Sequence, residues 1–204
     1  MVKRVLCVTL ALIICVSAVV GMTSCGKLPE LDALKARFIY LIEQSKEMNV
    51  IFFGVGLPVY DRENELAQRL GVYYGEDMPA YDTVSLKSPY LSSDAIKERA
   101  EQIFSEEYLE LIYESAFEGL VGSGSTYLRF YEQDGDIYQS VSATDFGLSE
   151  RIYDYSTMKI VKPSGNEYIN VTVETYTLDD AKRQEISLSF AFERGEWYLD
   201  CPTY

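Results

Sequence analysis

The hydrophobic pattern of this chain changes its period near Thr126, and this change restricts the fold more than any other feature. Before Thr126, apolar residues recur three or four positions apart, which is the spacing of one helix face. After Thr126, they alternate with polar residues, as in strands that bury one face. The order predicts the α+β class, with N-terminal helices packed on one face of a strongly curved antiparallel sheet.

The first helix is predicted to begin at Pro29 and to run to about Asn49. Residues 50–56 (VIFFGVG) are then predicted to form a buried strand or a covering segment. Residues 57–90 are rich in tyrosine and irregular, although residues 61–70 fit a short helix.

Two further helix starts are marked by serine caps. Ser92 or Ser93 is expected to cap a second helix, and Ser105, followed by two glutamates, a third. The predicted buried residues of these two helices are Ile96, Ala100, Ile103, Phe104, Tyr108, Leu111, Ile112 and Ala116.

The strand region contains three turn signals, which are Asp134-Gly135, residues 163–166 (PSGN) and Arg194-Gly195. The first is predicted to join strands over residues 127–131 and 137–141. A strand over residues 152–161 is predicted to turn at residues 163–166, and two alternating segments follow. Their predicted inward residues are Ile169, Val171, Val173, Ile186, Leu188, Phe190 and Phe192. Trp197, after the last turn, is expected to be a major core residue.

From about residue 84 to residue 204, the order of elements resembles the nuclear-transport-factor-2-like (NTF2-like) superfamily. The closing segment, residues 192–200 (FERGEWYLD), is similar to the last hairpin of many secreted members. The resemblance implies a cone in which helices close over a strongly bent antiparallel sheet. Residues 29–204 are expected to form this single α+β domain.

The N-terminus has the composition of an export signal. Lys3 and Arg4 precede an apolar stretch over residues 5–20. Extended to Met22, that stretch approaches the minimum length of a membrane-spanning helix. However, residues 22–26 (MTSCG) resemble the lipobox of bacterial lipoprotein precursors. The resemblance implies that residues 1–24 are a signal peptide, that Cys25 carries the lipid, and that residues 25–28 are a short tether to the outer face of the cell membrane.

The charge balance restricts the partners. The chain has a net charge of −14, and loss of Lys3 and Arg4 with the signal would make it −16. Such an acidic protein is repelled by nucleic acids and by anionic lipid surfaces. It is suited to a basic protein partner.

The chain has no histidine, and this excludes Ser-His-Asp catalysis, Cys-His catalysis and zinc sites built on imidazole. Cys7 and Cys15 would leave with the signal and Cys25 would be lipidated, so Cys201 has no partner for an internal disulfide. Cys201 is expected to be a small buried apolar residue. Carboxylate pairs or a serine–lysine couple stay possible for catalysis. No pair stands out among the abundant acids, so we expect no catalytic residue, no metal and no cofactor.

Three segments are similar to the secreted DL-endopeptidase inhibitor family, whose members restrain cell-wall hydrolases. They are residues 90–94 (YLSSD), 103–108 (IFSEEY) and 131–138 (YEQDGDIY). The resemblance implies a non-catalytic protein that binds a basic cell-wall hydrolase or another envelope protein. Acids on loops and hairpin tips, namely Glu76, Asp77, Asp134 and Asp136, are the predicted contact residues.

A second class of function stays open. The chain contains 17 tyrosines, nine phenylalanines and Trp197, and inward-facing rings could line a ligand cavity in an NTF2-like cone. The alternative is therefore a lipoprotein that binds a small molecule.

The first prediction concerns the lipid anchor. Replacement Cys25→Ser should abolish labelling by a fatty acid and release the protein from the membrane fraction, because only the thiolate can accept the diacylglyceryl group. Labelling of whole cells followed by fractionation tests this, with Cys201→Ser as the control. Lipid incorporation that survives Cys25→Ser contradicts the assignment.

Overall fold

The computed structural model describes residues 31–60, 81–118, 128–140, 148, 150–164, 167–178, 180 and 182–204. The predicted signal peptide, Cys25 and its tether, the start of the first helix at Pro29 and the short helix over residues 61–70 lie outside these ranges. Within them, no helix is both long and apolar enough to cross a membrane.

Helix α1 spans Leu31–Phe53, so the strand or covering segment predicted from residue 50 is wrong. The helical face continues past Asn49, and Ile51 and Phe52 are buried on it. Burial of that face outweighs the strand preference of the VIFF sequence. The helix ends in a turn in which the backbone N–H groups of Gly54 and Gly56 donate to the Val50 carbonyl over 3.0 and 2.9 Å.

Helices α2 (Ser93–Glu101) and α3 (Glu106–Tyr113) begin where the serine caps predicted. The Ser92 and Ser105 hydroxyls each accept a backbone N–H three residues later. Helix α3 continues as a π-helical turn over Glu114–Glu118. The prediction of a buried Leu111 is wrong, because that side chain is 62% exposed. The buried face of α3 carries Leu109 and Ile112 instead.

The strands form two antiparallel sheets. The first contains β1 (Tyr81–Thr83), β2 (Phe130–Gln133) and β3 (Asp136–Ser140), in the order β1-β3-β2. The second contains β4 (Arg151–Ser164), β5 (Tyr168–Thr177), β6 (Gln184–Glu193) and β7 (Glu196–Leu199), in sequence order. The predicted α+β class is confirmed. Two sheets replace the single sheet expected, and β1 lies in a segment predicted to be irregular.

The outer strands of the second sheet are protected in different ways. At β7, Leu199 exchanges backbone hydrogen bonds of 2.9 Å with Ile103 and Ser105. At β4, the pairing register shifts between Asp154 and Lys159 and again between Ile160 and Lys162. Such bulges bend a strand and hinder pairing with another chain.

The core lies between α1 and the second sheet and continues to α2, α3 and the first sheet. At its centre, the rings of Phe38 and Phe190 stack with centroids 4.0 Å apart. Trp197 packs on this cluster but is only partly buried, so its prediction as a major core residue is corrected. Phe192, predicted to face inward, is 42% exposed and packs against Trp197 at the margin of the core.

Phe190 and Phe192 form a matched pair for a stability test, because they lie two residues apart on β6. Phe190→Ala should lower the free energy of unfolding by about 3–5 kcal/mol, the range for a deleted buried aromatic side chain. Phe192→Ala should lower it by only ~0.5–1.5 kcal/mol, the value of an aromatic pair. Urea unfolding measures both. Equal losses for the two variants would contradict the packing of α1 on β6.

Candidate functional site

The tip of the β2–β3 hairpin carries two of the predicted contact residues. Gln133 pairs with Asp136, and Asp134 and Gly135 form the turn with φ values of 55° and 88°. Two successive left-handed residues are the type I′ geometry that Asp-Gly favours, so the predicted turn is confirmed. Asp134, Gly135 and Asp136 are all exposed. The other two predicted contact residues, Glu76 and Asp77, lie outside the described residues.

One face of the first sheet is lined with tyrosines. Tyr138 on β3 lies directly opposite Tyr131 on β2 and opposite Thr83 on β1. The ring centroids of Tyr131 and Tyr138 are 6.2 Å apart, and those of Tyr131 and Tyr81 are also 6.2 Å apart. We call Tyr81, Thr83, Tyr131 and Tyr138 the tyrosine face. On this face, Tyr131 and Tyr138 are partly exposed, whereas Tyr81 and Thr83 are buried.

The opposite face of the same hairpin belongs to the core. Phe130 and Ile137 are 1% and 2% exposed and belong to the main hydrophobic cluster. One face of the hairpin is therefore packed into the core, and this packing fixes the position of the tyrosine face on the other side.

Gln139 on β3 attaches the hairpin to the turn that follows α1. Its Oε1 accepts the backbone N–H of Leu57 over 2.6 Å, and its Nε2 donates to the Val55 carbonyl over 3.0 Å. Gly56 lies between them with a φ of +84°, and a Cβ atom there would approach Gln139 Oε1 to 2.0 Å. Glycine is required at this position, because it adopts a positive φ without strain and has no Cβ atom to clash with Gln139.

Arg129, directly before β2, attaches the hairpin to the end of α1. Its guanidinium is buried and donates from Nε to the Ile51 carbonyl over 2.6 Å and from Nη2 to the Gly54 carbonyl. Carbonyl groups at a helix C-terminus carry partial negative charge and attract a cation. Burial lowers the pKa of Arg129 to about 10, so the side chain stays charged at neutral pH.

Glu132 connects β2 to α2. Its Oε2 accepts the backbone N–H of Ser93 over 2.9 Å, at the first residue of that helix. A carboxylate is favourable there, because the first N–H groups of a helix have no partner within it. The hairpin is thus held by both α1 and α2.

The acids of the tip act on the tyrosine face. Burial raises the pKa of Tyr138, and the charges of Asp136 and Asp134 raise it further. The contribution of the two carboxylates means that the Tyr138 hydroxyl lies in their negative potential. The charges of Asp134 and Asp136 are therefore coupled to the ionisation of Tyr138.

The structure brings together two of the three segments that resemble the inhibitor family. Residues 90–94 lie beside the hairpin through the bond between Ser93 and Glu132, and residues 131–138 are the hairpin itself. Residues 103–108 lie elsewhere, where the Ser105 N–H donates to the Leu199 carbonyl.

The interior between α1 and the second sheet contains a polar network. Thr203 Oγ1 accepts from Asn49 Nδ2 over 2.7 Å and contacts Ser45 Oγ at 2.6 Å. Tyr153 donates its hydroxyl to the Thr203 carbonyl over 2.7 Å. Asn49 Oδ1 is buried without a hydrogen-bond partner in the described part of the chain. This oxygen is the feature that best fits the ligand-cavity alternative.

The described residues give little basis for nucleophilic or metal chemistry. Cys201 is partly buried, its Sγ accepts the Ser189 N–H over 3.2 Å, and burial raises its pKa to about 11. The thiol is therefore protonated at neutral pH and is a poor nucleophile. Over the same ranges, no group of three acidic or cysteine side chains could hold a metal ion.

Sequence reasoning did not assign the tyrosines to a site. The signal for Tyr131 and Tyr138 was present, because a two-residue turn at Asp134-Gly135 places them opposite each other. Tyr81 and Thr83 gave no such signal, because the residues of β3 with which their strand pairs lie more than 50 positions later in the sequence.

Comparison with known proteins gives no family for this chain: no family of known proteins matches it, and neither does any curated protein sequence.

Removal of a tip charge should change the ionisation of the tyrosine face. Asp136→Asn should lower the pKa of Tyr138 toward its ordinary value, because a negative charge that opposes ionisation is lost. Titration of the tyrosine rings by NMR measures this, with Tyr138→Phe to assign the signal. Asp180→Asn removes an exposed acid from the β5–β6 connection and should leave Tyr138 unchanged. An unchanged pKa in Asp136→Asn would contradict the electrostatic coupling.

Proposed function

We propose that this chain is a non-catalytic lipoprotein on the outer face of the cell membrane that binds a basic protein, namely a cell-wall hydrolase of the DL-endopeptidase class, and inhibits it. The observation that carries the proposal is the β2–β3 hairpin. It exposes Asp134 and Asp136 beside two partly exposed tyrosines, on a backing that is packed into the core.

The composition of this surface favours a protein partner. Tyrosine is enriched at protein interfaces because it offers a large rigid ring and a polar group. The two carboxylates beside the rings favour a partner of positive charge. The net charge of −14 would attract the same kind of partner from a distance.

The choice of a cell-wall hydrolase is supported by the family resemblance and by location. The hairpin is the segment 131–138 that resembles the inhibitor family, and residues 90–94 lie against it. A protein anchored through Cys25 would meet enzymes that act on the wall. An NTF2-like cone is part of the same proposal.

A ligand-binding lipoprotein is the second candidate, favoured by the unpartnered Asn49 Oδ1. A bound molecule with a hydrogen-bond donor would satisfy that oxygen. Against this candidate, the interior between α1 and the second sheet is tightly packed at Phe38 and Phe190, whose ring centroids lie 4.0 Å apart.

The inhibitor proposal is tested by wall hydrolysis with the organism's own endopeptidases, with and without the full chain in a neutral detergent. Hydrolysis should slow at low salt and recover as salt rises, because the Debye length falls from ~10 Å at 0.1 M to ~3 Å at 1 M. Asp134→Asn with Asp136→Asn should weaken inhibition without lowering the melting temperature.

The matched control is Asp180→Asn with Glu185→Gln, which removes two exposed charges from the region of the β5–β6 connection. This control should inhibit like the unchanged protein. If both double variants weaken inhibition equally, general charge and not the hairpin is responsible. If a panel of endopeptidases runs at an unchanged rate under excess protein at low salt, the inhibitor function is wrong and ligand binding takes its place.

A further inference from the structure

We propose that the tyrosine face binds an arginine side chain of the partner, in preference to lysine, with the guanidinium held between the ring of Tyr138 and the carboxylates of the tip. This inference rests on the proposed function and specifies the chemistry of its partner.

The same arrangement already holds an arginine elsewhere in this fold. The guanidinium carbon of Arg194 lies 4.5 Å from the ring centroid of Tyr198, and its Nε lies 3.8 Å from a carboxylate oxygen of Glu106. The guanidinium of Arg37 lies near the same ring while its Nη2 contacts Glu196 at 3.1 Å. In both cases a tyrosine ring and a carboxylate hold one guanidinium together.

The hairpin offers the same two kinds of group, a tyrosine ring and carboxylates. Tyr138 and Tyr131 are partly exposed, and Asp136 and Asp134 lie near enough to raise the pKa of Tyr138. Among the described residues, no lysine or arginine lies over the ring of Tyr131 or Tyr138, and none forms an ion pair with Asp134 or Asp136. The position is therefore suited to a cation from another molecule.

Thr83 provides an independent observation. Its side chain is 7% exposed and lies directly opposite Tyr138, and its Oγ1 has no hydrogen-bond partner in the described part of the chain. A buried hydroxyl without a partner is unfavourable, so it marks a position where a ligand would supply the missing bond. A guanidinium brings five N–H donors, enough for this oxygen and for the carboxylates.

Arginine fits these groups better than lysine. A guanidinium is planar and weakly hydrated, so it can stack on a ring while its N–H groups bond to carboxylates in the same plane. An ammonium group is a strongly hydrated point charge and would have to lose more water to contact the ring. Attraction by charge alone would not distinguish the two residues.

The test uses the full chain in a neutral detergent and three blocked peptides that contain arginine, lysine or citrulline at the same positions. Calorimetric titration should give about tenfold tighter binding for the arginine peptide than for the lysine peptide, the size of one cation–π contact. The citrulline peptide, which keeps the shape without the charge, should not bind measurably. Equal affinity for arginine and lysine would overturn the inference.

Variants locate the site. Tyr138→Leu keeps an apolar side chain but removes the ring face, and it should weaken arginine binding about tenfold. Tyr176→Ala, at a partly exposed tyrosine on β5, is the control and should bind normally. Unchanged binding by Tyr138→Leu would place the arginine elsewhere and overturn the inference.

Thr83→Val separates a ligand contact from a structural role. Because the hydroxyl has no partner within the described fold, valine should not lower the melting temperature. Weaker arginine binding at unchanged stability supports the contact, and unchanged binding overturns it.

The two proposals can fail separately. If hydrolysis is inhibited but the arginine peptide binds no better than the lysine peptide, the arginine site is wrong and the inhibitor function stands. If the arginine peptide binds with the predicted selectivity and no endopeptidase is inhibited, the site stands and the inhibitor function is wrong.

Discussion

The buried guanidinium of Arg129 on the last carbonyls of α1 is the interaction on which the arrangement of this fold depends. Helix α1 packs on the second sheet through Phe38, and its C-terminal end is held by Arg129 and, through the following turn, by Gln139. The helix therefore contacts both sheets. A buried charge is tolerated here because the helix end supplies partially negative acceptors that have no other partner in the helix.

This attachment has a direct consequence for binding. A two-stranded hairpin alone is only marginally stable in water, and a partner that bound it would have to order it first. Here the hairpin is already ordered by Phe130, Ile137 and the bonds of Gln139. In the proposed complex, the acids and rings would be in position before the partner arrives, so less entropy would be lost on association. A rigid element on a packed core is the arrangement expected of a surface that recognises another protein.

The parts of this structure that could be predicted are those fixed by local chemistry. Ser92 and Ser105 cap their helices, and Asp134-Gly135 sets both the hairpin and the register that pairs Tyr131 with Tyr138. The errors are at positions decided by distant contacts. The end of α1 depends on burial of Ile51 and Phe52, and β1 exists only because it pairs with β3. A local pattern could not show that Thr83 would lie opposite Tyr138, so the buried part of the tyrosine face, Tyr81 and Thr83, was not predicted.

In the proposed binding of a basic partner, the acidity of the chain and the tyrosine face would have different roles. Carboxylates are spread over many elements, so net charge can speed the approach of any basic protein but cannot choose among them. Choice requires short-range contacts that differ between cations, and a ring beside a carboxylate provides them because it distinguishes a planar guanidinium from an ammonium. The hairpin combines exposed acids with partly exposed rings on a surface that is packed against the core. In the proposed function, long-range attraction would bring the partner to the protein, and the tyrosine face would decide which partner stays bound.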